Sequence, residues 1–289
     1  MIFRMSDQIT VGYDGSDTAS DAVLWAANEA AKRKVGLRIV SCYDIPSMGA
    51  LTPGWPSGQA IVLVAESAEA NASAMAQRVT TLHPDLHVTT EVSAGPASSV
   101  LLHGVDADDM VVIGASSHGS ISAFMLGSTP RAVVRHSPCA VAVVRGKATT
   151  GRPDRIVVGI DGSSSSDRAL RWATDEADLY GVALVLVHAW GYPYSTDGTN
   201  IAQARDLTQV DGACVLDRSL ELARDRCGSN VSGLLPEGSA VQVLLDTVRD
   251  GDLLVLGSHG RGAGMAALLG STVNSVLDHA VVPVVVVRA

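Results

Sequence analysis

The sequence lacks the features that mark several common classes of protein. It contains no run of lysine or arginine, and its net charge is −9 with a pI of about 5.3, so nucleic acid and anionic membranes are not expected as main partners. No apolar stretch reaches the ~18 residues that a membrane span needs. The N-terminal Met-Ile-Phe-Arg-Met also lacks the apolar segment of a secretory signal. These absences predict a soluble, cytoplasmic protein.

Motifs for several kinds of catalysis and for metal binding are missing as well. There is no GxxxxGK[ST] phosphate loop, no G-x-S-x-G nucleophile elbow, and only three lysines occur in the chain. The eight histidines do not have the spacing of a zinc site. No CxxC pair occurs, so we interpret the cysteines as reduced thiols: Cys42, Cys139, Cys214 and Cys227. We expect no catalytic residues and no metal site.

What the sequence does contain is one pattern that occurs twice. The segment from Ile9 to Ser16 (ITVGYDGS) returns from Ile156 to Ser163 as IVVGIDGS. A later glycine-rich segment also returns, and both of its copies run into a Gly-Ser-Thr. A chain of 289 residues favours two domains of common size. The repeat therefore predicts domains at residues 1–146 and 155–289, joined by a polar linker at 147–154.

Within each copy, short β-branched runs alternate with helical patterns. Continuously apolar runs such as Leu253–Leu256 suit a sheet that is buried on both faces. The alternation implies parallel βαβ crossovers, and so an α/β domain with helices on both faces of the sheet. The first strands are predicted at Ile9–Tyr13 and Ile156–Ile160, and the second strands at Leu37–Tyr43 and Val182–Ala189.

The glycine-rich loop of the second copy is a candidate phosphate site. Gly257-Ser-His-Gly260 is followed by nine residues and then by Gly270-Ser271-Thr272, where a helix is predicted to begin. A helix N-terminus offers N–H donors and a positive dipole end, and glycines permit close approach or left-handed backbone. The alternative is an ordinary strand-to-helix loop with a serine cap. Because the loop is duplicated, we favour phosphate binding.

Asp14 and Asp161 each follow a predicted first strand at its carboxyl end. Ligands of open α/β sheets bind on that side, where a carboxylate can accept hydrogen bonds from a ribose or a base. The alternative is that Asp-Gly-Ser is a turn in which the aspartate caps the following helix. In combination with the glycine-rich loop, ligand binding is the better interpretation.

These residues resemble the universal stress protein family, over essentially the whole chain and as two tandem domains. The second copy keeps the family pattern G-x2-G-x9-G-[ST] in full. The resemblance implies two tandem Rossmann-like (adenine nucleotide alpha hydrolase-like) domains, each a five-stranded parallel sheet of order 3-2-1-4-5. It also implies ATP bound between the first-strand aspartate, the end of the second strand and the glycine-rich loop. The matching residues of the second copy are Asp161, Ala189, Gly257, His259, Gly260, Gly270, Ser271 and Thr272.

The first copy departs from the family pattern at two positions. Ser117 stands where the second copy has Gly260, and Ala140 stands where it has Pro283. If Gly260 has a left-handed backbone, a serine in its place would cost about 1–2 kcal/mol. Alternatively, the loop could shift to use His118-Gly119. ATP is therefore expected at the first copy too, in a site that could be weak or empty. The resemblance implies that it consists of Asp14, Cys42, Gly114, Ser117, Gly127, Ser128 and Thr129.

The last strand of each copy is expected at an edge of its sheet, where a long apolar strand must be covered or paired. The simplest solution is pairing between the two copies, which would make an intrachain pseudo-dimer. Whole chains could associate further as a homodimer. Protein partners are not identified by the sequence.

Taken together, the sequence predicts an ATP-binding universal stress protein, with Mg²⁺ accompanying the nucleotide, that acts by regulatory nucleotide sensing in a stress or dormancy response. Two alternatives stay open. One is a slow ATPase or autophosphorylating enzyme, in which His259 orients a water and Arg261 supplies charge. The other is an interaction scaffold that binds no nucleotide.

Overall fold

In the computed structural model the chain divides into two compact units, Met1–Gly151 (unit 1) and Arg152–Ala289 (unit 2). The structure describes residues 8–43, 58–115, 126–145, 152–191, 201–227, 230–260 and 269–288. Across these ranges no helix combines the length and the apolar composition that a bilayer crossing requires.

Unit 1 alternates strands and helices along the chain. Its elements are β1 (Gln8–Gly12), α1 (Asp17–Arg33), β2 (Gly36–Tyr43), α2 (Gly58–Leu82), β3 (Val88–Ala94), α3 (Ala97–Leu101), β4 (Met110–Gly114), α4 (Ser128–His136) and β5 (Ala140–Val144). The strands pair in the order β3-β2-β1-β4-β5, and the four pairings are all parallel.

Unit 2 repeats this arrangement. Its elements are β6 (Arg155–Gly159), α5 (Ser164–Tyr180), β7 (Ala183–Val187), α6 (Ile201–Cys227), β8 (Val231–Leu234), α7 (Ala240–Thr247), β9 (Asp252–Gly257), α8 (Ser271–His279) and β10 (Val284–Val287). The order is β8-β7-β6-β9-β10, again with parallel pairings. The predicted α/β fold and the 3-2-1-4-5 order are confirmed in both copies.

The first helix of each unit begins at a serine that the duplicated sequence repeats. Ser16 accepts a hydrogen bond from the N–H of Ala19 at 3.1 Å, and Ser163 accepts one from the N–H of Ser166 at 3.1 Å. Each serine thus satisfies one donor of the first helical turn. Each helix ends on a left-handed residue, Lys34 in unit 1 and Gly181 in unit 2.

The core of each unit is the sheet, which helices cover on both faces. Strands β4, β9 and β10 are buried along their whole length, as the apolar runs predicted. The outer strands β3 and β8 are partly exposed.

Two details of the second strand of unit 2 differ from the sequence prediction. The strand begins at Ala183, and it ends at Val187 instead of Ala189. His188 and Ala189 therefore lie just beyond the strand end, at the carboxyl edge of the sheet. The first strands also end one residue early, at Gly12 and Gly159.

Candidate functional site

A cavity of about 510 Å³ lies in unit 2, at the carboxyl ends of β6, β7 and β9 and beside the N-termini of α7 and α8. The strand order reverses at β6, which is the position where open α/β sheets bind ligands. The volume falls within the ~300–1,000 Å³ of small-molecule sites. All eight residues predicted for the second copy line this cavity: Asp161, Ala189, Gly257, His259, Gly260, Gly270, Ser271 and Thr272.

Further lining residues are not singled out by the sequence pattern. They are mostly apolar and come from strand ends, from the helices α5, α7 and α8, and from the residues just before α8: Gly159, Ile160, Ser166, Val187, Ala240, Leu244, Leu256, Leu269 and Val273. Most of them have position as their only sequence signal, because they lie within a few residues of a predicted strand end or helix start; Ala240 and Leu244 lie in α7, which the sequence did not predict. The cavity thus has apolar walls and a few convergent polar groups, as ligand sites commonly do.

Asp161 orders the turn between β6 and α5 and also borders the cavity. Its Oδ1 accepts a hydrogen bond from the N–H of Ser163 at 2.9 Å, and Gly162 between them has a φ of +75°. The helix cap, however, is Ser163 and not the aspartate. The turn interpretation was therefore right about the turn and wrong about the cap.

Gly260 is a glycine for a reason that the sequence did not suggest. Its φ is not positive, so the left-handed backbone considered for this position is wrong. Instead, a Cβ built on Gly260 would lie 2.7 Å from Oδ2 of Asp161. The glycine keeps the loop close to the carboxylate, and a larger residue would push that carboxylate away.

Gly257 has a different role, which is close packing of the backbone. A Cβ at this position would lie 2.6 Å from the carbonyl carbon of Ser165 and 2.7 Å from its oxygen. Unit 1 repeats the contact, since a Cβ on Gly114 would lie 2.9 Å from the carbonyl oxygen of Thr18. In both units the glycine lets the strand end reach the first turn of the unit's first helix, α1 or α5.

Gly270 is the N-cap of α8, with φ −66° and ψ 149°. Its own N–H donates to the carbonyl of Ser258 at 2.9 Å. Because a glycine has no side chain, no cap from this residue occupies the N–H groups of the first helical turn. Those donors and the positive end of the helix dipole lie at the cavity, where an anionic group would be stabilised.

His259 is held by two serines. Its backbone N–H donates to Oγ of Ser165 at 3.3 Å, and its ring Nδ1 lies 2.9 Å from Oγ of Ser258. The two hydroxyl oxygens are 3.4 Å apart. Both serines are buried, Ser258 completely. The imidazole is thus held at Nδ1 by a buried hydroxyl, and His259 also borders the cavity.

The end of β7 is tied to the end of β6 by a histidine. Nδ1 of His188 lies 2.8 Å from the carbonyl oxygen of Ile160. In unit 1 the hydroxyl of Ser41 donates to the carbonyl of Tyr13 at 2.8 Å, which is the matching contact. This link sets the position of Ala189, the following residue, at the cavity.

Unit 1 brings together only part of its predicted site. Asp14, Cys42, Gly114 and Thr129 line a cavity of about 90 Å³ at the corresponding strand ends. Asp14 and Cys42 also border a second cavity of about 350 Å³ against α2. Gly127 is the N-cap of α4 and Ser128 is its first residue. The prediction for Ser117 lies outside the described residues.

The turn of Asp14 matches that of Asp161. Its Oδ1 accepts hydrogen bonds from the N–H of Ser16 at 3.0 Å and from the hydroxyl of the same residue at 2.6 Å. The glycine between them has a φ of +83°. Both units thus have the same acidic turn, whereas the cavities beside the two turns differ in volume.

The fold and these cavities define an α/β protein of two units, each with a parallel sheet and a candidate ligand site at its topological switch point. A model of the universal stress protein family matches the chain twice, at residues 5–145 and 153–288. The chain therefore belongs to the universal stress protein family, as the motifs predicted.

Similar proteins cover the whole chain. A universal stress protein of Mycobacterium tuberculosis is 30% identical over 298 residues, which span 99% of this chain and 98% of the relative. One of Mycolicibacterium smegmatis is 29% identical over 290 residues, spanning 97% and 96%. The crystal structure of a universal stress protein from Archaeoglobus fulgidus superposes with a TM-score of 0.69 at 23% identity, over 98% of both chains. This last likeness supports the tandem fold.

Proposed function

We propose that the cavity of unit 2 binds ATP, and that the protein acts as a regulatory nucleotide sensor. The observation that carries the proposal is the meeting of two groups in one cavity. A carboxylate, Asp161, lies two residues beyond the first strand, and a glycine-capped helix N-terminus begins at Gly270. The first suits hydroxyl or amine donors of a nucleoside, and the second suits phosphate.

The other lining residues fit the same ligand. Ile160, Val187 and Leu244 offer apolar surface for a base. Ser271 and Thr272 line the cavity at the first turn of α8, and their backbone N–H groups are donors for a phosphate. Asp161 is the only carboxylate among the lining residues that the structure describes. A polyanion therefore meets little like charge there. We propose that Mg²⁺ enters on the phosphates of the nucleotide, as this ion commonly does.

We propose that the site binds ATP without hydrolysing it. Phosphoryl transfer needs positive charge on the phosphates and a positioned nucleophile. None of the lining residues within the described ranges is a lysine or an arginine, and Arg261 lies outside those ranges. Nδ1 of His259 lies beside the hydroxyl of Ser258. We therefore propose a role without catalysis.

We further propose that the two units differ in occupancy. In unit 1 the cavity between the strand ends and α4 is only about 90 Å³, and a second cavity of about 350 Å³ lies apart from it against α2, whereas unit 2 has one cavity of about 510 Å³ at the corresponding strand ends. Cys42 stands where unit 2 has the smaller Ala189, and Pro130 stands in α4 where unit 2 has Val273. We expect ATP to bind unit 2 first. Nucleotide occupancy would then report cellular ATP to protein partners during stress or dormancy. Pairing of the copies through their last strands stays a prediction.

The test is the nucleotide content of the full chain. The purified protein is denatured, and the released nucleotide is identified by chromatography with its molar ratio. We expect about one ATP per chain, because the larger cavity fills first. Asp161→Ala should abolish this content and the thermal stabilisation by added ATP and Mg²⁺.

Asp14→Ala, the same change in the matching turn of unit 1, is the control and should leave the ratio near that of the unmodified chain. Absence of nucleotide, together with no thermal shift on adding ATP and Mg²⁺, would refute the proposal. ADP accumulating from added ATP would instead favour turnover.

A further inference from the structure

A closed set of hydrogen bonds lies beneath the candidate site of unit 2. It runs from the backbone N–H of His259 to Oγ of Ser165 at 3.3 Å. It continues from there to Oγ of Ser258 at 3.4 Å, and returns to Nδ1 of the same histidine at 2.9 Å. Ser165 lies in the first turn of α5 and Ser258 directly follows β9.

The direction of these bonds is set at one end. A backbone N–H can only donate, so Oγ of Ser165 is an acceptor toward His259. The Ser165 oxygen could accept a second bond, but within the described residues the hydroxyl of Ser258 is the one acceptor in reach of its own proton. That buried proton stays bonded only if Ser165 donates to Ser258, whose proton is then donated to Nδ1. Ser258 is 0% exposed and Ser165 is 4% exposed, which leaves little access for water to reverse this order. Nδ1 of His259 is therefore an acceptor.

We infer that Ser258, supported by Ser165, is a positioning residue that keeps His259 in the tautomer protonated on Nε2. The second ring nitrogen then presents an N–H donor instead of a lone pair. His259 borders the cavity next to the start of α8, where phosphate oxygens, which are acceptors, are proposed to bind. The serines thus make His259 a hydrogen-bond donor selective for the phosphates of a nucleotide. This inference rests on the proposed function for the identity of the ligand.

Unit 1 shows that the hydroxyl set belongs to one copy only. Ala115 stands where unit 2 has Ser258, and Thr18 stands where it has Ser165. The hydroxyl of Thr18 lies 3.2 Å from that of Ser16, the helix cap. Because the same strand end carries an alanine in unit 1, the fold accommodates alanine at this position. Ser258→Ala is therefore a conservative probe.

The first test needs no ligand. The ring ¹⁵N shifts of His259 are measured by NMR on the ligand-free full chain, with the signals assigned by their loss in His259→Asn. We expect the Nε2-protonated tautomer in the unmodified chain. In Ser258→Ala we expect a mixture of the two tautomers. An Nδ1-protonated ring in the unmodified chain, or an unchanged tautomer in the variant, would overturn the inference.

The second test measures the affinities for ATP and for adenosine by calorimetry. Ser258→Ala should weaken ATP binding about tenfold, the loss expected for one misdirected hydrogen bond to a charged group, and should change adenosine binding less than twofold. Ser219→Ala is the control, since this buried serine bonds to the carbonyl of Val215 in α6 and should alter neither affinity.

Equal losses for ATP and adenosine would mean that Ser258 has only a structural role. If the unmodified chain bound no ATP, the proposed function and the phosphate role of His259 would both fail. The NMR result would still decide the tautomer by itself. The two failures are therefore distinguishable.

Discussion

Replacing Gly270 by serine should stabilise unit 2 and weaken nucleotide binding at the same time. The backbone of Gly270, at φ −66° and ψ 149°, is close to that of Ser163, a serine cap in the same unit with φ −79° and ψ 159°. A Cβ on Gly270 would meet no atom closer than 3.5 Å, which is ordinary contact. A serine therefore fits without strain.

The two effects have different sizes. A serine cap at position 270 would accept from the N–H of Val273, three residues on, as the native caps Ser16 and Ser163 do. Relative to glycine this adds only a few tenths of a kcal/mol, so about 0.3 kcal/mol of stability. The same N–H is then shared with the phosphate. Losing one charge-assisted hydrogen bond costs about 1.4 kcal/mol, or about tenfold in Kd.

The assay is calorimetric titration with ATP and Mg²⁺, beside urea unfolding of the ligand-free protein. Gly127→Ser is the matched control, because Gly127 is the N-cap of α4 in unit 1 with φ −62° and ψ 164°. We expect that variant to leave the ATP affinity of unit 2 unchanged. If Gly270→Ser bound ATP as tightly as the unmodified chain, the N-terminus of α8 would not be the phosphate site.

Three further predictions concern stability, each measured by urea unfolding. Gly257→Ala should lower the free energy of unfolding by about 3 kcal/mol, because its Cβ would meet the backbone of Ser165 at 2.6 Å. Gly114→Ala should lower it by less, because the nearest atom to its Cβ would be 2.9 Å away. Equal losses would contradict the packing argument. Arg155→Gln should lower the free energy of unfolding by about 3 kcal/mol, because Asp252 is buried and its carboxylate accepts a hydrogen bond from Arg155 Nε at 2.9 Å. A loss of less than about 1 kcal/mol would contradict this. Burial raises the pKa of the Cys139 thiol to about 11, so with rising pH the unfolded chain loses this proton before the folded chain does. The free energy of unfolding should therefore fall by up to about 3 kcal/mol between about pH 8.5 and pH 11. Cys139→Ala should lack that part of the fall.

Much of the fold was accessible from the sequence because the buried parallel strands are continuously apolar. Strands β4, β9 and β10 carry that pattern along their whole length. By contrast, β8 (Val-Ser-Gly-Leu) is short and partly exposed, so it has neither a continuous nor an alternating pattern. Helix α7 has only eight residues, which is too short for periodicity to identify it.

The sequence predicted which residues form the candidate site, but not the structural role of each one. The duplicated motif identified Gly257, Gly260 and Gly270, yet their backbone angles and neighbours cannot be read from sequence. Gly257 approaches a helix backbone, Gly260 faces a carboxylate and Gly270 caps a helix. The serines beneath His259 were missed because Ser165 and Ser258 are far apart in the chain. Only the packing of α5 against β9 brings them together.

The same duplication that suggested two sites indicates how they diverge. Both units keep the acidic turn, the close strand–helix contact and the glycine-capped helix, which are the features that the backbone needs in order to form a cavity. They differ in side chains that change its size and donors: Cys42 for Ala189 and Ala115 for Ser258. Changes of this second kind leave the fold intact while altering affinity. We therefore expect a chain with two similar units to respond to nucleotide concentration mainly through unit 2.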